Sequence, residues 1–223
     1  MKVEVNLIES LDDITVGQFQ DYQSKLKVDE NGSPTIDERT QNSHALKIFC
    51  GLPYDIQPQT KAHQLNDLLN RIGDAFGKVQ PFQQRFKMDG VEYGFIPKLD
   101  DITTDEYADL DQYINDISNA HKAMAVMYRP ITRTHKDLYD IAFYNGTSQT
   151  ADIMKKAPLS VYLGAQVFFW NLGIELSSYI LNSSEKAKKS TNTQTSVKTS
   201  PKNGDGMELL TRQLITILPS MKL

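Results

Sequence analysis

Leu11-Asp12-Asp13-Ile14-Thr15, followed by Val16-Gly17-Gln18-Phe19, returns as Leu99-Asp100-Asp101-Ile102-Thr103, followed by Thr104-Asp105-Glu106-Tyr107. Each copy reads as the start of a helix. Thr15 and Thr103 stand at the N-cap, where a hydroxyl accepts a bond from an orphan backbone N–H. Gln18 and Glu106 stand three residues on and reach back, which completes a capping box. Ile14 and Ile102 precede the caps, and Phe19 and Tyr107 occupy the fourth helical position, the spacing of a hydrophobic staple. The aspartate pairs favour the positive end of the helix dipole.

The likeness extends beyond the caps. Asp21 matches Asp109 in register, Asn42-Ser43-His44 matches Asn119-Ala120-His121, and Pro53 and Pro130 follow their histidines at the same distance. Shared order and spacing point to an internal duplication, with pseudo-repeats over about 3–77 and 86–182. The first half carries an extra stretch, Val28 to Glu38, centred on Asn31-Gly32-Ser33-Pro34.

Outward from the caps, Val3, Val5 and Leu7 alternate with polar residues and predict a strand over residues 3–8. The first helix is expected to run to about Lys27 and a second from Asn42 to about Gly51, with Pro53 ending it. A third covers Gln59 to Phe76, with Leu65, Leu68, Leu69 and Ile72 at helical spacing. Asp89-Gly90 between Phe86–Met88 and Val91–Ile96 predicts a β-hairpin with a type I′ turn. Helices over Thr104–Ile117 and Ala120–Arg129 follow, then a short one over Lys136–Tyr144. The fold class is therefore α+β and predominantly α-helical: duplicated strand–capped-helix halves, a small antiparallel sheet, and helices on one side.

Pro158 opens the most apolar element, Leu159 to about Asn182. Gln166, Asn171 and Glu175 interrupt it, so the residues fit a central core helix better than a bilayer span. Gly164 and Gly173 would let neighbouring backbones approach, and another subunit can supply part of the burial. Residues 183–206 are Ser, Thr, Lys and Asn with almost nothing apolar, the composition of a disordered linker. Its lysines lack interleaved aromatics for base stacking, so nucleic acid is not the expected partner. Residues 207–223 turn apolar again. Met207, Leu210, Leu214, Ile217 and Leu218 form the stripe of an amphipathic helix on a tether, the form of a docking segment, or of one that folds back on its own core. The globular part is thus residues 1–182.

The 223 residues carry a net charge of −4, which gives no global electrostatic case for nucleic acid. The one cysteine, Cys50, excludes an internal disulfide and reads as a small buried hydrophobe. The N-terminal residues lack the uninterrupted apolar run of a signal peptide, so a cytoplasmic product is expected. His44, His63, His121 and His135 include no pair at the i, i+4 spacing of a helical zinc site. No phosphate loop, nucleophile elbow or dinucleotide fingerprint occurs. Asp12, Asp13, Asp100 and Asp101 would hold a cation only if the two caps met. No catalytic residue, cofactor or metal is therefore expected.

Ile14-Thr15-Val16-Gly17-Gln18-Phe19-Gln20, the Asp-Gly hairpin with Tyr93-Gly94-Phe95-Ile96-Pro97, and the Asn-x-His helix ending Met127-Tyr128-Arg129-Pro130 together resemble small helical proteins of tailed bacteriophages. These belong to phages of Bacteroidota, including crAss-like phages. The resemblance covers Ile14 to Asn182. It implies a tail assembly chaperone-like protein or a virion structural component of a tail, neck or ring. It further implies other phage tail or virion proteins as partners, and location in the host cytoplasm during assembly or in the virion. It supplies no catalytic residues.

Overall fold

The computed structural model describes residues 4–26, 34–172 and 174. Helix α1 (Val16–Leu26) turns Val16, Phe19, Tyr22 and Leu26 inward. Its N-terminus accounts for each of its first four donors. Thr15 Oγ1 accepts from Gln18 N–H at 3.2 Å, while Gln18 Oε1 accepts from Thr15 N–H at 2.9 Å. Phe19 N–H reaches Thr15 O, Val16 N–H donates to Ala157 O at 2.9 Å and Gly17 N–H to Lys155 O at 2.8 Å. Ile14 O in turn accepts from Leu159 N–H at 2.8 Å. Donors that a helix start leaves orphaned thus tie residues 14–17 to residues 155–159. A Cβ at Gly17 would stand 3.0 Å from Lys155 O, so a larger residue there requires Lys155 to give by a few tenths of an ångström.

Gln18 does a second job. Its Nε2 donates to Ile48 O at 3.0 Å, at the end of α2 (Glu38–Ile48). Helix α3 (Ala62–Phe76) buries Leu68, Leu69, Ile72, Ala75 and Phe76. Phe19, Phe49 and Phe76 meet at centroid distances of 5.8 and 6.0 Å and join the three helices.

Strands β1 (Arg85–Met88) and β2 (Val91–Phe95) form the expected hairpin. Asp89 at φ 50° and Gly90 at φ 78° supply the two positive angles of a type I′ turn. The sheet has two further strands, β3 (Tyr128–His135) and β4 (Leu138–Ile141), in the order β1-β2-β3-β4 with all pairs antiparallel. Between β2 and β3 lie α4 (Thr104–Tyr113) and α5 (Ala120–Met127). A short α6 (Ala151–Met154) and α7 (residues 159–172) follow. The fold is α+β and mainly helical with a small antiparallel sheet.

Several expectations are corrected. Residues 4–8 form no strand: the segment is held by Asn6 N–H on Cys50 O, and Leu7 points outward while Ile8 is buried. The first half therefore lacks the strand that would make it match the second. Helix α2 begins at Glu38, which puts Asn42 inside it, whereas Asn119 precedes α5. Pro53 lies in a turn and Pro130 in β3, opposite Tyr93. Asp21 and Asp109 each fall at the sixth residue of their helix, whereas the Asn-x-His and proline landmarks occupy different structure. Helix α4 stops at Tyr113 and α5 at Met127, and Lys136–Tyr144 holds a hairpin turn and β4 where a helix is expected. Lys136 at φ 53° makes that turn.

The core helix is also shared differently. In α5, Ala120 and every residue from Ala123 to Met127 are buried, with small alanines letting neighbours in from several sides. Helix α7 buries Val161, Tyr162 and Ala165. Gly164 is required there, because a Cβ would stand 2.4 Å from Pro81 O. Gly173 lies outside the described residues, as do the linker at 183–206 and the whole segment 207–223. Among the described residues, no helix is long and apolar enough to cross a membrane.

Candidate functional site

The second capping box is half of a larger construction. Thr103 N–H donates to Glu106 Oε2 at 2.7 Å, Thr103 Oγ1 does so at 2.8 Å, and Glu106 N–H donates to Thr103 Oγ1 at 3.3 Å. The remaining carboxylate oxygen, Oε1, takes the guanidinium of Arg129. Arg129 sits at the start of β3, so this buried ion pair joins α4 to the sheet. Burial would raise the Glu106 carboxyl's pKa. The Thr103 bonds and the Arg129 charge overcome that and hold it below the ordinary carboxylate value. Burial pulls Arg129 the other way, below its usual value.

Arg129 also lies over the ring of Tyr144, 5.7 Å from its centroid. The Tyr144 hydroxyl donates to Asp109 Oδ2 on α4. Burial first, then the Asp109 carboxylate, raise the Tyr144 pKa well above its ordinary value, so the phenol stays protonated as a donor. Glu106, Arg129, Tyr144 and Asp109 form a continuous polar network across the α4–sheet junction. One atom is left over: Arg129 Nε is buried without a hydrogen-bond partner.

This network fixes the chain after β4. Ala142 N–H donates to Pro130 O at 2.9 Å on one side, and Tyr144 is pinned to Asp109 on the other. Phe143, between these two anchors, is 95% exposed. Leu138, at the other end of β4, is 73% exposed. Strand β4 is an edge of the sheet. Among the described residues no strand pairs with the outer side of β4, and a phenyl ring held outward on anchored backbone beside it has the form of a contact residue, because little ordering is left for binding to impose.

The residues singled out in the sequence fall apart in space by role. Thr15, Gln18, Thr103 and Glu106 make both capping boxes. The first staple packs, with Ile14 and Phe19 both buried; the second does not, because Tyr107 is 60% exposed. Asp13 accepts from Glu9 and Ser10 N–H, Asp12 accepts the Ser160 hydroxyl near the start of α7, and Asp101 pairs with Lys98 at 3.7 Å. His44 Nδ1 meets Tyr54 Oη at 2.7 Å on the surface. His121 Nδ1 accepts from Gln20 Nε2 at 2.9 Å, and burial lowers its pKa. Among the described residues, no group of His, Cys, Asp and Glu is placed to hold a metal ion. Met207, Leu210, Leu214, Ile217 and Leu218 lie outside the described residues.

Sequence reasoning reads Glu106 as a cap and finds nothing in Arg129, Tyr144 or Phe143. An arginine at the end of an alanine-rich buried helix is the signal that was available. No protein-family model, no curated protein and no solved structure matches this chain.

Proposed function

We propose that this chain is a non-enzymatic phage protein that binds other proteins during tail or virion assembly, in the manner of a tail assembly chaperone. The phage assignment rests on the sequence resemblance over Ile14 to Asn182. The binding role is carried by one observation, Phe143 held 95% exposed between two anchored neighbours. An aromatic fixed in this way is a preformed anchor for a partner's pocket. The charged side chains beside it, Glu106, Arg129 and Asp109, are spent on holding it there. A lasting place in a tail, neck or ring is the second reading, favoured by the open β4 edge, which suits repeated contacts.

The test compares tagged wild type with Phe143→Asp in infected host cells, with the bound proteins quantified by mass spectrometry. Tail or virion proteins should be enriched on the wild type and lost from the variant, at equal melting temperature. Equal capture by both, or no phage protein on either, would overturn the proposal.

A further inference from the structure

The segment between β4 and α6 is held at two points. On one side the Tyr144 hydroxyl donates to Asp109 Oδ2. On the other, Thr147 O accepts from Thr150 N–H at 3.2 Å and from Ala151 N–H at 2.9 Å, where α6 begins. Asn145 and Gly146 bridge these anchors, and both are exposed. Among the described residues, neither the Asn145 side chain nor the Gly146 N–H has a hydrogen-bond partner. Gly146 stands at φ 80°, and a Cβ built there would meet nothing within 4 Å, so that side of the residue opens to solvent.

This is the arrangement in which an asparagine reacts with its own main chain. The Gly146 nitrogen can close on Asn145 Cγ through a five-membered ring. Any residue other than glycine at 146 would set a Cβ beside that nitrogen and crowd the closure. A nitrogen engaged in a helix or a ladder must first break its hydrogen bond, at the free energy of local opening. Gly146 N–H has no such bond to break. Other asparagines are placed differently. Asn42, Asn66 and Asn70 lie inside α2 and α3, where the helical ladder holds the next residue's N–H. Asn119 commits its side-chain amide to Asp116 Oδ2 at 2.6 Å. Among the described residues, Asn145 alone is followed by glycine.

We propose that Asn145 is a site of spontaneous modification, converting through a succinimide to isoaspartate and aspartate. Gly146 N–H gives its proton to hydroxide, and the nitrogen bonds to Asn145 Cγ. The Cγ–Nδ2 bond breaks, and the leaving nitrogen takes a proton from water, departing as ammonia and restoring hydroxide. Water then adds to one of the two imide carbonyls. Opening at Cγ gives aspartate; opening at the main-chain carbonyl gives isoaspartate, with the main chain rerouted through the side chain. Nothing is oxidised or reduced. Either product adds one negative charge to the chain's −4. Isoaspartate also lengthens the main chain by a methylene, one residue after Tyr144 and on the loop that presents Phe143. The chemistry does not depend on the function proposed above.

The test incubates the full chain in mildly alkaline buffer, and in parallel in the same buffer with guanidinium chloride, with conversion followed by peptide mass spectrometry. Residues 31–32 and 203–204 are also Asn-Gly, so the reading is taken peptide by peptide. In the native chain, Asn145 should show the mass gain of amide-to-acid conversion at a rate within about tenfold of its rate in denaturant. The rate should rise with pH, and fragmentation should identify isoaspartate at 145. Asn145→Gln, which would need a six-membered ring, should stop the change at this site with far-UV circular dichroism unchanged. Native conversion more than about tenfold slower than in denaturant would mean that the loop must open first, and would overturn the proposal. Aspartate alone at 145, without isoaspartate, would mean direct hydrolysis of the side-chain amide and would overturn it as well. So would an undiminished mass gain in the same peptide of Asn145→Gln.

Discussion

Replacing Glu106 by Gln should be the most damaging single change in the polar network, and more damaging than Arg129→Met. The two partners are not equivalent. Arg129→Met leaves the Glu106 carboxylate with both Thr103 donors, at 2.7 and 2.8 Å. Glu106→Gln leaves the Arg129 guanidinium buried, with the Tyr144 ring beside it and an Nε that already lacks a partner. Breaking a buried pair so that a charge is left uncompensated costs about 3–5 kcal/mol. Weakening the capping box adds up to about 1 kcal/mol. Glu106→Gln should therefore cost about 4 kcal/mol and Arg129→Met about 2 kcal/mol. The double variant Glu106→Gln/Arg129→Met removes both charges and should be more stable than Glu106→Gln alone. Urea titration followed by circular dichroism measures all three, provided the slope stays constant. A cost below about 1 kcal/mol for Glu106→Gln, or additive single costs in the double variant, would refute the idea that the pair is closed and mutually dependent.

Other consequences follow from the same contacts. Because Glu106 has a depressed pKa in the folded state, its stabilisation is complete above the unfolded carboxylate value, about 4.3. It is lost as pH falls from there through the folded value, so wild type should lose more stability between about pH 5 and 2 than Glu106→Gln does. Gly164→Ala puts a Cβ 2.4 Å from Pro81 O, a backbone atom, and should lower stability by about 1–3 kcal/mol, read as a drop in melting temperature. Tyr144→Phe removes the bond to Asp109 and should cost about 1 kcal/mol, with faster amide exchange in residues 142–147. Burial raises the Cys50 thiol pKa to about 11, so a thiol reagent at pH 8 should label it only as fast as the protein opens.

The parts of the fold legible in the sequence are those closed within a few residues. The Thr15–Gln18 and Thr103–Glu106 boxes need a four-residue span, and the Asp89-Gly90 hairpin needs two residues that tolerate positive φ. What sequence spacing missed is set by tertiary partners. The helix expected over Ala120–Arg129 gives up Tyr128 and Arg129 to β3, which accommodates Pro130 opposite Tyr93. Ile131, Thr132 and Thr134, with Leu138-Tyr139-Asp140-Ile141 beyond the turn, carry the β signal. Alternation in residues 3–8 misleads because Leu7 faces outward and Ile8 inward. The Asn-x-His likeness fails for a similar reason: two matched letters do not fix where a helix begins. Glu106 is legible as a cap, but its partner Arg129 is 23 positions away, and only the packing of α4 on β3 brings them together.

The proposed role makes its firmest demand inside infected cells. The decisive measurement is the sedimentation profile of the native chain through infection, with its companions and the purified particles quantified by mass spectrometry. The account predicts that the chain travels with tail or virion proteins. If it is also present in many copies per particle, it is a structural component; if absent from particles, it is a chaperone that leaves. A chain that sediments free of phage proteins at every stage, and is missing from particles, would contradict it.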